Sequence, residues 1–170
     1  MKVNEIINKL KKKDVRSVAR LLTLIENEDE NAETILKEIW HLTGNSYILG
    51  ITGPPGAGKS TIVDLLSKIA TEKGHKVGVL AVDPTSPFSG GAVLGDRLRM
   101  TSSLETGIFI RSVASRGHLG GLAATTRFMI NAIEMLGNDL TIIETVGAGQ
   151  GDVEIVQIAD TTVVVEVPGL

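Results

Sequence analysis

Over residues 1–44 the apolar positions return every three or four residues: Val3, Ile6, Ile7 and Leu10; Val15, Val18, Ala19 and Leu22; Ile35, Leu36, Ile39 and Leu42. That is the period of an α-helix turning one face to a core, so the stretch predicts three short amphipathic helices. Asp14 stands where the second would be capped, and the acidic run at 26–31 supplies turn and cap chemistry ahead of the third. The consecutive lysines Lys11, Lys12 and Lys13 read as a solvated helix end. After Gly44 the period changes. β-rich runs at 47–52, 76–82, 108–113, 140–144 and 161–167 alternate with helical patterns from 59 to about 73 and from 119 to about 136. Such alternation predicts an α/β fold: a mostly parallel sheet with helices on both faces, spanning 45–170 and preceded by the helical arm of 1–44. The last run is nearly all Val and Thr, the composition of a strand buried on both faces, and it ends three residues before the chain does. The sheet is therefore expected to be truncated at its carboxyl end.

Composition narrows what such a fold could do. The 170 residues are 42% hydrophobic, enough for one real core. With 17 basic against 20 acidic side chains the formal charge is -3, which provides no basic field for a nucleic-acid backbone, and no nucleic-acid partner is expected. Cysteine is absent and the histidines, His41, His75 and His118, are dispersed, which disfavours zinc or nickel handling. The amino terminus is charged throughout, unlike a secretory signal, and no apolar run could span a bilayer. A cytoplasmic protein without membrane contact is the expectation.

The candidate chemistry begins in "GITGPPGAGKST", Gly50 to Thr61. Residues 53–60 match G-x-x-x-x-G-K-[ST], with a β-rich run before and a helical pattern after, as a phosphate-binding P-loop requires. Pro54 and Pro55 have no N–H, so the amides of 56–61 must be the donors. Gly53, Gly56, Ala57, Gly58, Lys59, Ser60 and Thr61 are the predicted nucleotide-binding residues. Lys59 would reach the β- and γ-phosphates, and the Ser60 hydroxyl would ligate Mg²⁺. Carboxylates should stand at neighbouring strand ends. Glu144 closes the run "LTIIE", with Gly147 three residues on in an acid-x-x-Gly arrangement whose glycine amide could sense a γ-phosphate. Asp83 closes "VLAVD", and Asp96 follows in "LGDR". Each acid alone could equally be a turn cap. Together with the loop they suit a Mg²⁺ site of Ser60, Asp83, Asp96 and Glu144, with Lys59, Asp96 and Glu144 as the catalytic set.

These segments resemble one family. "GPPGAGKST", "AVDPTSPFSGGAVLGDRLRM", "FIRSVASRGHLGGLA" and "ETVGAGQGDVEI" are similar to successive signatures of the MeaB/ArgK/MMAA family of P-loop GTPases. The resemblance runs from about Ile48 to the end, and the arm is also similar. It implies Mg²⁺-dependent binding and hydrolysis of GTP to GDP, coupled to chaperoning an adenosylcobalamin-dependent acyl-CoA mutase of the methylmalonyl-CoA mutase type, with a homodimer in the full-length family. It places mobile switch segments near 84–99 and 145–157 and gives 115–121 a conformational role. His118 there reads more readily as a structural histidine than a catalytic one. Arg97, Arg99, Arg111 and Arg116 are arginine-finger candidates for which ordinary ion pairing is the simpler role.

Two features depart from the family pattern. "GQGD" at 149–152 replaces the usual Gly-Gln-Ser-Glu, and the guanine-reading Asn-Lys-x-Asp element is not among the 170 residues. On that reading the chain corresponds to the first half of a GTPase, without the carboxy-terminal dimerisation helices. Alternative functions are an ATPase or kinase linked to amino-acid transport, a nickel metallochaperone GTPase, and a nucleotide-binding module without turnover.

Overall fold

The computed structural model describes residues 3–84, 108–115, 122–145, 147, 155–167 and 169. Three helices open the chain: α1 (Val3–Leu10), α2 (Val15–Glu26) and α3 (Glu30–Ile39), the last continued by a 3₁₀ turn, Trp40–Leu42. α2 is capped by the predicted Asp14, and α3 takes its cap, Asp29, from the acidic run expected to supply it. The Asp14 carboxylate accepts from the Ser17 amide at the start of α2, and Asp29 accepts from the Asn31 amide at the start of α3. Lys11, Lys12 and Lys13 are exposed, as a solvated helix end should be.

Beyond the arm come β1 (Tyr47–Thr52), α4 (Lys59–Glu72), β2 (Val77–Pro84), β3 (Phe109–Ser115), α5 (Leu122–Glu134), β4 (Leu140–Thr145) and β5 (Thr161–Val164). The strands form one sheet in the order β3-β2-β4-β1-β5, and every pairing is parallel. The α/β expectation holds. Alternate residues of β2 face opposite ways: Leu80 and Val82 join one buried cluster, Val77 and Val79 the other. The larger cluster is continuous from Leu10, Leu22 and Ile35 in the arm through Met129 and Ile133 of α5 to Ile143 of β4. The smaller packs Val63 of α4 against Ile51, Val79 and Ile142.

Polar contacts fasten the arm to the sheet. Glu134, buried at the end of α5, accepts from the backbone amides of Gly44, Asn45 and Ser46, where the chain passes into β1. Arg111 of β3 donates to Glu26 of α2 at 2.6 Å. Of the arginine-finger candidates, Arg111 is thus in the ion pair expected of it, and Arg97, Arg99 and Arg116 lie outside the described residues.

Composition misled at one strand. β5 is shorter than its run of Val and Thr suggested, and it is not buried on both faces: it lies at the sheet edge with Val164 58% exposed. A β-branched composition reports fitness for a pleated surface, whereas burial depends on what packs there, and here one flank of β5 meets β1 alone. Among the described residues no helix is long and apolar enough to cross a membrane.

Candidate functional site

The site gathers where β1 and β4 end side by side. In their parallel register Ile51 is opposite Glu144, so the loop leaving β1 begins beside the carboxylate that closes β4. Buried threonines tie the two ends, Thr145 Oγ1 donating to Thr52 Oγ1 at 3.0 Å. The loop then turns on glycines. Gly56 and Gly58 have φ of +80° and +90°, with open space where a Cβ would stand, so backbone conformation rather than crowding requires glycine there. Gly58 is the N-cap of α4, which opens with Lys59 and Ser60 and aims its positive end into the loop.

Lys59 is buried, with its ammonium donating to the carbonyls of Gly53 at 2.7 Å and Pro54 at 2.9 Å. A cation in a cradle of carbonyl oxygens is a positive centre held inside the loop, on the side an anion would approach. Ser60 Oγ donates to Glu144 Oε1 at 2.6 Å. The hydroxyl and the carboxylate predicted to share a metal are therefore direct neighbours across 84 residues of sequence. Gly147 completes the group. Its φ is +73°, and a Cβ there would overlap the Gly53 carbonyl, the same oxygen that receives Lys59.

The structure thus brings Gly53, Lys59, Ser60, Glu144 and Gly147 together, with Gly56, Ala57, Gly58 and Thr61 on the same loop and helix start. One of the proposed loop donors is engaged internally: the Ala57 amide bonds the Pro54 carbonyl at 3.2 Å. Asp83 lies at the end of β2, in register with Ala114, its backbone two strands from β1. Asp96 lies outside the described residues, as do His118, most of the 84–99 and 145–157 segments and 116–121. Among the described residues no three His, Cys, Asp or Glu side chains gather as a metal cluster. Three participants were missed by motif reading. Thr52 and Thr145 lock the strand ends, and the carbonyl of Val165 presses on Gly53 so closely that a Cβ there would overlap it. A threonine directly before the loop and another directly after Glu144 were the available signal.

Comparison with known proteins meets this geometry. A family profile described as methylmalonyl Co-A mutase-associated GTPase MeaB matches residues 18–170. The chain belongs to the MeaB family. It is 56% identical over 169 residues to a candidate GTPase of Pyrococcus abyssi, covering 99% of this chain and 52% of that one. To the GTPase ArgK of Escherichia coli it is 37% identical, covering 97% of this chain and 51% of the relative. A fused isobutyryl-CoA mutase of Geobacillus kaustophilus matches 96% of the chain at 39% identity, within 16% of its own length. Among solved structures, one described as a LAO/AO transport system kinase superposes with a TM-score of 0.74 at 30% identity, over 96% of this chain and 49% of that one. The fold is accordingly that of a P-loop nucleotide hydrolase, and the chain spans about half the length of the curated GTPases it matches.

Proposed function

We propose that this chain carries the phosphate-handling part of a Mg²⁺-dependent GTPase that chaperones an adenosylcobalamin-dependent acyl-CoA mutase. The observation that carries the reading is the 2.6 Å contact of Ser60 with Glu144 beside the buried ammonium of Lys59. Hard oxygen donors at the positive end of a helix suit Mg²⁺ held partly by phosphate, and Ser60 and Glu144 would hold it, with Asp83 and Asp96 as further candidates. Bound there, the ion would offset charge on the phosphate oxygens. Lys59 would exchange the Gly53 and Pro54 carbonyls for phosphate oxygens, stabilising charge on the transferred group. The loop amides would fix the phosphates for in-line attack by water, and the Gly147 amide would sense the terminal one.

The mutase side of the proposal draws support from the family description and from the relative in which a matching segment is fused to a mutase. A cytoplasmic location, homodimerisation of the full-length protein and the division into an arm of 1–44 and a GTPase unit of 45–170 belong to the same proposal.

The test is phosphate release from GTP by the purified chain, in excess Mg²⁺ and in excess chelator, for the parent and for Glu144→Gln. The amide keeps an acceptor for Ser60 but removes the charge, so its rate should fall more than its GDP affinity. Turnover that survives chelation, or a Glu144→Gln rate equal to the parent's, would defeat the metal assignment.

A further inference from the structure

On the side of the sheet opposite α4, α3 and α5 leave a groove of about 710 Å³. Its floor is apolar: Ile25, Ala32 and Leu36 line it from α2 and α3. Two aromatic rings stand at its sides with much of their surface in water, Trp40 at 60% and Phe128 at 40% exposure. Exposed aromatics bordering a concave apolar floor mark contact surface rather than ordinary exterior.

The rim is strongly one-signed. Among the described residues lining it, Glu28, Asp29, Glu30 and Glu33 stand against one cation, Lys37, which is itself paired with Glu33 at 2.7 Å, and the charge of Arg20 on α2 also reaches Asp29. Two of these carboxylates, Glu33 and Asp29, are held in their charged form by their neighbours. The side-chain hydrogen bond and charge of Lys37 hold Glu33 below its ordinary range, and the Asn31 backbone and side-chain bonds do the same for Asp29.

We propose that this groove docks a basic amphipathic helix of a partner protein, apolar side chains between Trp40 and Phe128 and lysines or arginines against the acidic rim. The shape favours a helix. Leu36 and Trp40 are spaced i, i+4 and Thr125 and Phe128 i, i+3, so the walls are two helix faces, and α3, with 10 residues, offers a trough about 15 Å long. A helical wall presents no free strand edge, which argues against an extended peptide. The chain's own basic stretch is not the occupant: Lys11–Lys13 follows α1, whose Ile6, Ile7 and Leu10 are already buried in the core.

Trp40 is the sole tryptophan, so its emission reports on this groove and nowhere else in the chain. The probe is a tryptophan-free synthetic helix of roughly 20 residues, leucine on one face and lysine on the other; its counterpart carries glutamate for lysine. The lysine peptide should shift Trp40 emission to the blue in a saturable way that weakens with salt, and the glutamate peptide should bind at least about tenfold more weakly. Glu30→Lys with Glu33→Lys should raise the Kd about tenfold or more, as should Phe128→Ser, with circular dichroism unchanged because all three side chains are already exposed. No shift in Trp40 emission, equal binding of the two peptides, or parental affinity in either variant would overturn the proposal.

Discussion

The two faces of the sheet are built on different principles. Against one face lie the arm and α5, joined to it by a large continuous cluster in which Leu10, Leu22, Ile35 and Ile39 are fully buried. Against the other, among the described residues, lies α4, over a cluster of a few residues around Ile51, Val63 and Ile142. At the upper rim of the sheet packing gives way to backbone: Gly53, Gly58 and Gly147 hold conformations side chains rarely adopt, and Gly53 and Gly147 admit no Cβ. The lesson is a division of labour. Apolar burial, which is non-directional and tolerant of repacking, fixes where the strands end. The phosphate loop needs position to within tenths of an ångström, and that comes from close backbone approach and short polar contacts.

If this division is right, damage to the rim should affect chemistry and leave stability, while damage to the arm face should do the reverse. The largest effect should come from Lys59→Ala. Removing a preorganised donor to a transferring phosphoryl group costs about 10²–10³-fold in rate by the scale of comparable deletions. Its ammonium serves loop carbonyls rather than the core, so the melting temperature should move little. GTP turnover alongside a thermal melt checks both halves, and turnover at the parent's rate would break the comparison outright.

Leu22→Ala is the opposite probe. Leu22 is 0% exposed within the arm-side cluster, so truncation should cost about 2–5 kcal/mol of stability by cavity formation. Denaturant unfolding measures it. Below the melting transition nucleotide affinity should stay within about twofold of the parent, a difference under roughly 0.5 kcal/mol. A loss near zero would mean that the arm is not part of the same folding unit.

Gly147→Ala should show a smaller effect that crosses the boundary. A left-handed conformation costs a non-glycine residue about 1–2 kcal/mol, and here the added methyl also displaces the Gly53 carbonyl that holds Lys59. Calorimetric titration should find GDP affinity reduced about tenfold, equivalent to roughly 1.4 kcal/mol. Unchanged affinity would separate the Gly147 segment from the loop.

How much of this was legible in the sequence follows the same division. The arm helices, their Asp14 and Asp29 caps and the strand-helix alternation were readable because period and capping are local properties. The residues of the loop were readable because their spacing encodes one backbone path. What could not be read was whatever depends on which strands become neighbours. The contact of Ser60 with Glu144 needs β4 beside β1, and the pressure of Val165 on Gly53 needs β5 on β1's other side. Nor did the periodicity of the arm reveal that Trp40 and Phe128 would line one groove with acidic residues.

The smallest effect belongs to the arm's own surface and turns on pH. Asp14 caps α2 through hydrogen bonds from the side chain and backbone amide of Ser17, and these bonds hold its carboxyl below the ordinary value of 3.8. The lowered folded value fixes the sign: the cap stabilises the folded state fully above the unfolded pKa and loses that contribution as pH falls through the folded one. Asp14→Ala should therefore lower the melting temperature at neutral pH, by less than Leu22→Ala does, and the gap between variant and parent should close as pH falls below the unfolded value. Thermal melts of both proteins across that range supply the measurement, judged by the difference between the curves because other carboxylates titrate alongside in both. A gap that persists undiminished at the acid end would mean that Asp14 contributes through packing or helix propensity rather than through the charge of its cap.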